Sequence, residues 1–561
     1  MPDGAPHTDA PHPDQVTHLD ALIIGAGFGG LYQLHLLRDR LGLNVQIVEK
    51  AGGVGGTWWW NRYPGARCDS ESHGYAYLFS EALHRGWQWS ERYPGHAEIR
   101  RYLNYVADEL DLKRDIRFGV EVTSAAYEGR WIVHTACGQT YSARYLITAV
   151  GCLSTANIPN IPGLEDFQGE WHHTGAWPHD GVDFTGKRVG QIGTGSTGIQ
   201  AAPVIAAEAE HLTVFQRTPN YSVPARNGPL TDEAKAEIRE DFEGIRALTR
   251  RTPNGHPFEI SPRKTDDVTD AERLEEYEQR WEKGGLRFRG AFQNLLMNKE
   301  ANDTAADFLK AKIRGVVDDP ETAEKLANID HPYGAKRPPI DTRYFETYNR
   351  DNVDLVDVRA DPIQRITETG IETAEGRYDL DVIVFATGFD AMTGPLLSLN
   401  LTGRDGVSLS DAWAAGPRTY LGVQIRDFPN LFTVTGPGSP SVLCNMPVCI
   451  EQHVEWIADC IAHLEETGAS AIEPTETAVE EWVAHVNDAA NATLLPTVKH
   501  SWYLGANVPG KPRVFMPYAG GMVRYRNIAD DIAADGYRGF EIDGKAASGV
   551  ALPQDIVAAG V

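Results

Sequence analysis

Basic residues, cysteines and long apolar runs are all scarce in this sequence of 561 residues. Lys and Arg number 52 against 78 Asp and Glu, which leaves a formal net charge of -26. A surface this acidic repels phosphate backbones and anionic lipid heads, so neither nucleic acid nor a membrane is an expected partner. No apolar run reaches the roughly 18 residues that a membrane-spanning helix needs. The opening MPDGAPHTDAPHPDQ does not resemble a secretory signal, and residues 1–18 are expected to form a disordered tail.

Six cysteines are too few for a disulfide framework in a chain of this length, and no pairing of Cys with His indicates a bound metal. This usage favours the reducing cytoplasm as the compartment. Cys444 and Cys449 have the C-x4-C spacing of the redox pair in flavin disulfide reductases. In those enzymes the pair follows the first glycine-rich turn, whereas here both cysteines lie far downstream at the start of a predicted helix. A structural role is therefore favoured for them.

A pattern of strand, glycine-rich turn, helix and second strand occurs twice. The turns have the spacing G-x-G-x-x-G and contain Gly25, Gly27 and Gly30 in the first copy and Gly193, Gly195 and Gly198 in the second. The second strand ends at Glu49 in the first copy and at Arg217 in the second. The distance along the sequence from the first glycine to this residue is the same in both copies, since Gly25 precedes Glu49 by as many positions as Gly193 precedes Arg217. This context distinguishes a dinucleotide-binding fold from an ordinary glycine turn.

The chemistry of the two copies differs at the strand end. In both, the pyrophosphate of a dinucleotide is expected to rest on the helix N-terminus. Glu49 can accept hydrogen bonds from ribose hydroxyls, as FAD requires, whereas the guanidinium of Arg217 suits the 2′-phosphate of NADPH. The alternative for Arg217 is a solvated charge at a strand end, which the matched spacing disfavours. The other turn residues expected to contact the dinucleotides are Phe28 and Gly29 in the first copy and Thr194, Ser196 and Thr197 in the second.

These patterns predict an α/β fold with two Rossmann-like dinucleotide-binding domains, for FAD and NADP, and a helical insertion. A Pro/Gly-rich connection after residue 150 separates the domains, and the strand around Asp379–Asp390 is expected to return the chain to the first. Thr269 with Glu272 predicts a capping box, which together with a charged helical pattern marks the insertion. The predicted domains are FAD-binding at 19–150 and 382–540, NADP-binding at 151–229 and 331–381, the insertion at 230–330 and a tail at 541–561.

A third motif lies just before the second glycine-rich turn. It reads Phe167-x-Gly169-x-x-x-His173-x-x-x-Trp177-Pro178 and resembles the fingerprint of the type I Baeyer–Villiger monooxygenases, which are class B flavoprotein monooxygenases. The resemblance extends through GGTWWWNRYPGARCD, GAKRPP, FATGFD and WYLGANVPGKPR, and covers about residues 19 to 540. It implies NADPH- and O2-dependent insertion of one oxygen beside a ketone carbonyl, giving an ester or lactone after oxygen adds at flavin C4a.

The resemblance also implies roles for single residues. Arg337 would be the active-site arginine, contacting NADP as well, and Asp69 the carboxylate that orients it beside FAD. Lys336 would be the second contact to the 2′-phosphate, and His173 would link the domains rather than touch substrate. The remaining implied contacts are Thr57, Trp58, Trp60, Tyr75 and Val122 with FAD, and Arg67, Cys68, Gln216 and the lid residue Trp502 with NADP.

Three other functions fit parts of the pattern. A flavin monooxygenase that oxygenates nitrogen or sulfur shares both glycine-rich turns but has a fingerprint without the Trp-Pro ending. A pyridine-nucleotide disulfide reductase is disfavoured by the late position of Cys444 and Cys449, and a catalytically idle flavin-binding partner protein would not consume oxygen. Small cyclic, linear, aromatic and polycyclic ketones all stay open as substrates. The oligomeric state is open too, a monomer being compatible with the sequence.

Overall fold

Two sheets organise the chain, one mixed and one fully parallel, and each is built around one of the glycine-rich turns. The structure is a computed structural model that describes residues 16–547. Its strands are β1 Val16–Ile24, β2 Val45–Glu49, β3 Ile116–Phe118, β4 Val122–Tyr127, β5 Trp131–Thr135, β6 Thr140–Thr148, β7 Glu170–His173, β8 Arg188–Ile192, β9 His211–Gln216, β10 Val223–Pro224, β11 Ile340–Asp341, β12 Val353–Asp357, β13 Ile363–Thr367, β14 Gly370–Thr373, β15 Arg377–Asp379, β16 Val382–Phe385, β17 Leu401–Thr402, β18 Leu431–Thr433, β19 Ile472–Pro474, β20 Phe540–Ile542 and β21 Lys545–Ala546.

The helices lie on both faces of these sheets and in the stretch between them. They are α1 Phe28–His35, α2 Thr57–Trp60, α3 Glu81–Gly86, α4 His96–Glu109, α5 Ser196–Glu208, α6 Asp232–Glu240, α7 Phe242–Arg251, α8 Asp270–Lys283, α9 Lys299–Val316, α10 Pro320–Ala327, α11 Gly394–Leu397, α12 Leu409–Ala412, α13 Met446–Thr467, α14 Glu476–Asn491 and α15 Met522–Ala534. No helix within residues 16–547 is long and apolar enough to cross a membrane.

The first sheet has the strand order β17-β4-β5-β6-β1-β2-β3, with β18 also paired to β6. Strand β1 runs parallel to both β2 and β6, and Ile24 pairs with Val48. The carboxyl ends of these strands therefore share one edge, where the first glycine-rich turn leads into α1. Buried side chains of α1 and α13 pack in the same apolar core on this sheet.

The second sheet has the order β12-β9-β8-β16-β7, and all its strands are parallel. Ile192 at the end of β8 pairs with Phe215 near the end of β9, which is the equivalent of the Ile24–Val48 pair in the first sheet. The turn into α5 and the residue after β9 therefore meet at the carboxyl edge. The two Rossmann-like folds predicted from the repeat are confirmed.

The assignment of β16 to the FAD-binding domain is wrong. Strand Val382–Phe385 pairs with β8 on one side and β7 on the other, so it belongs to the second sheet. All four of its residues are buried, as a central strand between two neighbours requires. The chain returns to the first sheet only after this strand, so the boundary predicted at 382 moves past residue 385.

Parts of both predicted tails belong to the fold. Val16 to His18 pair with Thr140 to Ser142 as the first residues of β1, and residues 1–15 lie outside the described chain. At the other end, β20 and β21 form a hairpin that pairs with β19, so residues 541–546 continue the fold. Backbone pairing holds both segments in the fold. They are not predicted as strands from the sequence, because they contain few apolar residues.

The stretch predicted as a helical insertion contains α6 to α10. The capping box at the start of α8 is confirmed, because Thr269 accepts from the Glu272 amide while Glu272 accepts from the Thr269 amide. Asp319 caps α10, whose first residue is Pro320. Aromatic residues of α8 and α9 pack into the apolar core of the second sheet, whereas Phe242 and Ile245 of α7 pack against Leu78 in a separate cluster.

Candidate active site

The two glycine-rich turns have nearly identical geometry. Gly25 and Gly193 have φ of 108° and 112°, which only glycine adopts without strain. A Cβ at these positions would lie 2.6 Å from the Ala149 carbonyl oxygen and 2.4 Å from that of Ala386. Gly27 and Gly195 are the N-cap residues of α1 and α5, and neither N-cap makes a side-chain hydrogen bond to the first amides of its helix. The first amides of both helices are therefore available to a pyrophosphate.

Glu49 closes the first nucleotide fold. Its Oε2 accepts from the Ala26 amide at 2.6 Å, and its Oε1 accepts from the Ala51 amide at 2.7 Å. Burial raises the pKa of Glu49, while these two amides oppose the rise. The carboxylate is thus fixed beside the turn at the end of β2, where it has spare acceptor capacity for ribose hydroxyls.

The second nucleotide fold ends in a group of cations instead. Arg217 follows β9 and is exposed, and it forms no ion pair with any residue of the range 16–547. Burial, opposed by the charge of Asp330 and assisted by the positive charges of Arg217 and Arg359, lowers the pKa of Lys336 to about 8. Arg217 and Lys336 therefore lie close enough to repel each other. Such excess positive charge fits the 2′-phosphate of NADP.

Arg337, the residue next to Lys336, turns to a different site. Its Nε and Nη2 donate to the two carboxylate oxygens of Asp69 at 2.5 and 2.7 Å, and its Nη1 donates to the Val442 carbonyl at 2.8 Å. Asp69 follows α2 in the FAD-type fold, and Val442 lies in the turn before α13. Asp69 and the Val442 carbonyl therefore hold the guanidinium at three of its N–H groups. One N–H on each Nη atom has no partner within the described chain.

Electrostatics fix the charge state of this pair. Burial alone would lower the pKa of Arg337, but Asp69 outweighs burial and raises it above its usual value. Burial would likewise raise the pKa of Asp69, but Arg337 outweighs burial and lowers it. Both groups stay ionised, and the bidentate geometry fixes the plane of the guanidinium.

Two neutral groups surround the pair. Burial, followed by the charge of Arg337, lowers the pKa of His256 to about 3. Burial raises the pKa of Tyr503 to about 12, and its hydroxyl is in hydrogen-bonding contact with the backbone of Arg337. At neutral pH the imidazole is uncharged and the phenol keeps its proton. Arg337 and Asp69 are therefore the charged members of this group.

An aromatic group connects the Arg337 site to the first glycine-rich turn. The indole of Trp58 in α2 donates to the Tyr75 hydroxyl at 3.2 Å, and the two rings are perpendicular at 5.8 Å. Tyr75 also packs edge-on against Phe28, the first residue of α1, with ring centroids 5.3 Å apart. Burial raises the pKa of Tyr75, the charge of Asp69 adds to this rise, and the charge of Arg337 opposes it. The FAD contacts implied for this segment therefore lie between the turn and the arginine.

Other predicted NADP contacts lie nearby but have partners of their own. Arg67 donates through Nη1 to Glu91 at 3.1 Å, and its backbone exchanges hydrogen bonds with the Gln200 side chain of α5. Cys68 is buried, and its sulfur accepts from the Ser70 amide. Gln216 donates to the Lys325 carbonyl at 3.0 Å, which directs its amide toward α10. The cross-fold contact through Gln200 fixes the Arg67–Asp69 segment against the second fold.

The fingerprint lies where the chain passes between the folds. His173 ends β7 and is 3% exposed, its Nδ1 accepts from the Gly175 amide, and its ring packs edge-on against Phe389. Gly169 has no room for a side chain, because a Cβ would lie 2.5 Å from the Phe167 ring. Trp177, next to Pro178, is buried in the core of the second fold. These contacts suit a structural role at the crossover, as expected for His173.

The loop predicted as a lid is tied to the same crossover. Lys511 donates to the Ala391 carbonyl at 2.7 Å and forms an ion pair with Asp390. Asn507 donates to the Phe389 carbonyl at 2.8 Å. Trp502 starts a short 3-10 turn and packs against Tyr503 with the rings tilted at 60° and their centroids 4.4 Å apart. The loop therefore links the crossover directly to the hydroxyl beside Arg337.

The remaining predicted residues occupy ordinary places in these elements. Thr57 and Trp60 are the first and last residues of α2, and Val122 begins β4. Thr194 donates to the Thr218 carbonyl at 2.9 Å, and Thr197 hydrogen-bonds Tyr63. Cys444 and Cys449 lie just before and within the first turn of α13, where both are buried and reduced.

Sequence reasoning missed four groups at this centre, namely Tyr503, His256, the Val442 carbonyl and Arg289. Tyr503 is adjacent to the predicted Trp502, so the motif WYLGANVPG contained the signal. His256 and Arg289 lie in the helical stretch without a motif, and a carbonyl leaves no trace in a sequence. Only the folded chain brings these groups to Arg337.

The residues present fit two dinucleotides. The first fold offers a glycine turn, a helix N-terminus and the carboxylate of Glu49, and these are the groups that bind FAD in such a fold. The second offers the same turn and helix with Arg217 and Lys336, which is the set for NADP(H). Arg337 lies between the two.

Comparisons with known proteins agree with this arrangement. Residues 19–274 match the family described as pyridine nucleotide-disulphide oxidoreductase. An acetone monooxygenase (methyl acetate-forming) of Gordonia sp. is 45% identical over 94% of this chain and 99% of its own length. A Baeyer–Villiger monooxygenase of Pseudooceanicola batsensis is 45% identical over 92% of this chain and 95% of its own. The structure of an oxidised steroid monooxygenase bound to NADP is 52% identical, with a TM-score of 0.89 over 94% of this chain and 99% of that one. The chain therefore belongs to the Baeyer–Villiger monooxygenases, the FAD- and NADP-dependent family that its fingerprint resembles.

Proposed function

We propose that Arg337 is the catalytic cation of this enzyme and that Asp69 is its positioning residue. The chain is an FAD-dependent Baeyer–Villiger monooxygenase that uses NADPH and O2. A ketone, O2, NADPH and a proton give an ester or lactone, NADP+ and water. The bidentate contact of Arg337 with Asp69, made across the two folds, is the observation that carries the assignment.

The bound cofactors supply the redox chemistry, and the protein supplies position and charge. Negative charge develops on oxygen atoms as the ketone reacts, and a fixed guanidinium stabilises it without giving up its proton. Asp69 and the Val442 carbonyl hold three N–H groups of Arg337, so the two left over point in directions that the protein sets. Little reorganisation is then needed when the charge appears.

The protonation states of the groups around Arg337 support this assignment. His256 is neutral at neutral pH, and Tyr503 keeps its proton. Neither is an acid strong enough to protonate a reactive oxygen anion readily, and such protonation would release hydrogen peroxide. The lid loop with Trp502, anchored at Asp390, would keep water from the same space.

A ketone panel tests the reaction directly. With linear, cyclic, aryl and polycyclic ketones we expect at least one to give a product 16 Da heavier, about the mass of one oxygen atom added per NADPH oxidised. Mass spectrometry of the product, together with NADPH, oxygen and peroxide measurements, provides the check. A thioether and a tertiary amine serve as controls. Turnover of these two alone would assign the enzyme to sulfur or nitrogen oxygenation.

A pH profile tests the proposed phosphate site. Because the pKa of Lys336 is lowered to about 8, its charge is present below that pH and is lost as the pH rises through it. The KM for NADPH should therefore rise by up to about tenfold between pH 7 and 9.5 as one charged phosphate contact is lost. The KM for NADH, which lacks the 2′-phosphate, should stay nearly flat.

The control is Lys336→Arg, which keeps its charge over this range and should flatten the NADPH profile. Lys336→Gln should have the high KM at every pH. If wild type and Lys336→Arg gave the same rise, another group would be titrating and Lys336 would not contact the phosphate.

A further inference from the structure

A second arginine near the active site has no counter-ion. Arg289 lies in the 3-10 turn Gly285–Gly290, and its Nε and Nη2 atoms are shielded from solvent without a hydrogen-bond partner among residues 16–547. Two residues earlier, Arg287 is fully paired, because its Nε and Nη2 each donate to a carboxylate oxygen of Glu71 at 2.8 Å. The same short turn thus contains one satisfied and one unsatisfied guanidinium.

Shielding these N–H groups without a partner is costly, because the charge loses part of its hydration and gains no anion in return. Burial lowers the pKa of Arg289, yet a guanidinium stays ionised at any pH at which the enzyme works. Perturbed charges of this kind cluster at functional sites, where a bound anion can supply the missing partner. The donors of Arg289 therefore indicate a ligand rather than a structural contact.

Arg289 lies within range of charge interactions with the groups of the reaction centre. Besides burial, the groups that shift the pKa of Arg289 are Tyr503, Tyr333 and Arg337, and no carboxylate of the described chain is among them. Tyr503 contacts the backbone of Arg337 and is influenced by both arginines. The Tyr333 hydroxyl is buried, lacks a partner within the described residues and feels the charge of Arg289 more than any other.

The charge balance at the centre favours an anion. Asp69 neutralises Arg337, and His256 is uncharged at neutral pH, so Arg289 leaves one positive charge in excess. This charge is separate from the proposed phosphate site, because the charges that act on Lys336 are those of Asp330, Arg217 and Arg359. An occupant of the Arg289 site would therefore be bound in addition to NADP.

We propose that Arg289 and the Tyr333 hydroxyl form an anion subsite that binds a carboxylate on the ketone substrate. The guanidinium offers paired N–H donors that match a carboxylate, and the phenol adds a third donor. Oxo acids, with the carboxylate set apart from the ketone, are then the preferred substrates. The inference rests on the proposed function, since the ketone must reach Arg337 while its carboxylate contacts Arg289.

The test uses methyl ketones with a terminal carboxylate and spacers of increasing length, each paired with its methyl ester. With wild-type holoenzyme, at least one acid should have a kcat/KM about 10- to 100-fold above that of its ester, the size of one charge-assisted contact. Oxygenation of the esters alone would support the proposed function and overturn the inference. Oxygenation of no ketone at all would contradict the proposed function itself.

Substitutions then assign the effect to the residue. Arg289→Met should raise the KM for the best acid by about 10- to 100-fold and change the ester by less than about threefold. Arg289→Lys should recover part of the loss, and Tyr333→Phe should give a smaller loss of the same kind. The matched control is Arg239→Met, which removes an exposed charge from α6. Equal losses for acid and ester in Arg289→Met would overturn the subsite.

Discussion

Replacing Arg337 with Ala should abolish ester formation while NADPH is still oxidised. Removing a preorganised donor of this kind lowers the rate of the chemical step by about 10²–10³-fold. Since NADPH is expected to bind through Arg217 and Lys336, the variant should still oxidise it, and its two electrons should reduce O2 to hydrogen peroxide. The measurement compares NADPH consumed, ester formed and peroxide released for one good ketone. Full coupling of NADPH to ester in the variant would show that Arg337 is not the catalytic cation.

Folding must be separated from chemistry in this experiment. Arg337→Ala leaves Asp69, whose side chain is 19% exposed, without its partner, and breaking a buried pair costs up to about 3–5 kcal/mol of stability. The double variant Arg337→Met with Asp69→Asn removes both charges and should recover much of the lost Tm. Its ester formation should remain as low as in the single variant. If activity recovered together with Tm, the pair would be structural rather than catalytic.

The removal of Asp69 alone should give a different result. In Asp69→Asn the charge of Arg337 remains, but the bidentate contact that fixes its plane is lost. The guanidinium is then restrained by the bond to the Val442 carbonyl and by at most one bond to the remaining amide oxygen at position 69. Coupling should therefore fall in part rather than completely, which is the behaviour of a positioning residue.

The sequence predicts those parts of the fold that a local pattern encodes. The two nucleotide folds follow from glycines that no other residue can replace, together with strand-end residues at equal spacing. The capping box of α8 is equally local. The place of β16 is not, because its sequence VIVF fits a central strand in either sheet and only its pairing with β7 and β8 decides.

In the active site, too, some residues could be predicted from local motifs and others could not. Arg337 and Asp69 could be named because motifs contain them, although they lie far apart in the sequence. Their bidentate contact depends on how two folds and a helical stretch come together. Arg289 shows the limit most clearly, since an arginine in a charged helical stretch suggests a solvated surface. Its burial without a counter-ion is visible only in three dimensions.

Preference for NADPH over NADH should collapse when Arg217 is replaced by Ala. The guanidinium is exposed, so water screens part of its interaction, and a loss of about 10- to 100-fold in kcat/KM for NADPH is expected. NADH has no 2′-phosphate and should change by less than about threefold. Combining Arg217→Ala with Lys336→Gln removes both proposed contacts and should bring the two cofactors close to equal.

Salt provides an independent check on the same contact. Raising the ionic strength should weaken NADPH binding in the wild type more than in Arg217→Ala, because screening acts on a charge that the variant no longer has. The control is Arg239→Ala, which removes an exposed charge from the helical stretch and should leave both cofactors unaffected. If Arg217→Ala weakened NADPH and NADH equally, Arg217 would support the fold rather than recognise the phosphate. The matched ends of β2 and β9 would then reflect shared architecture without a difference in cofactor.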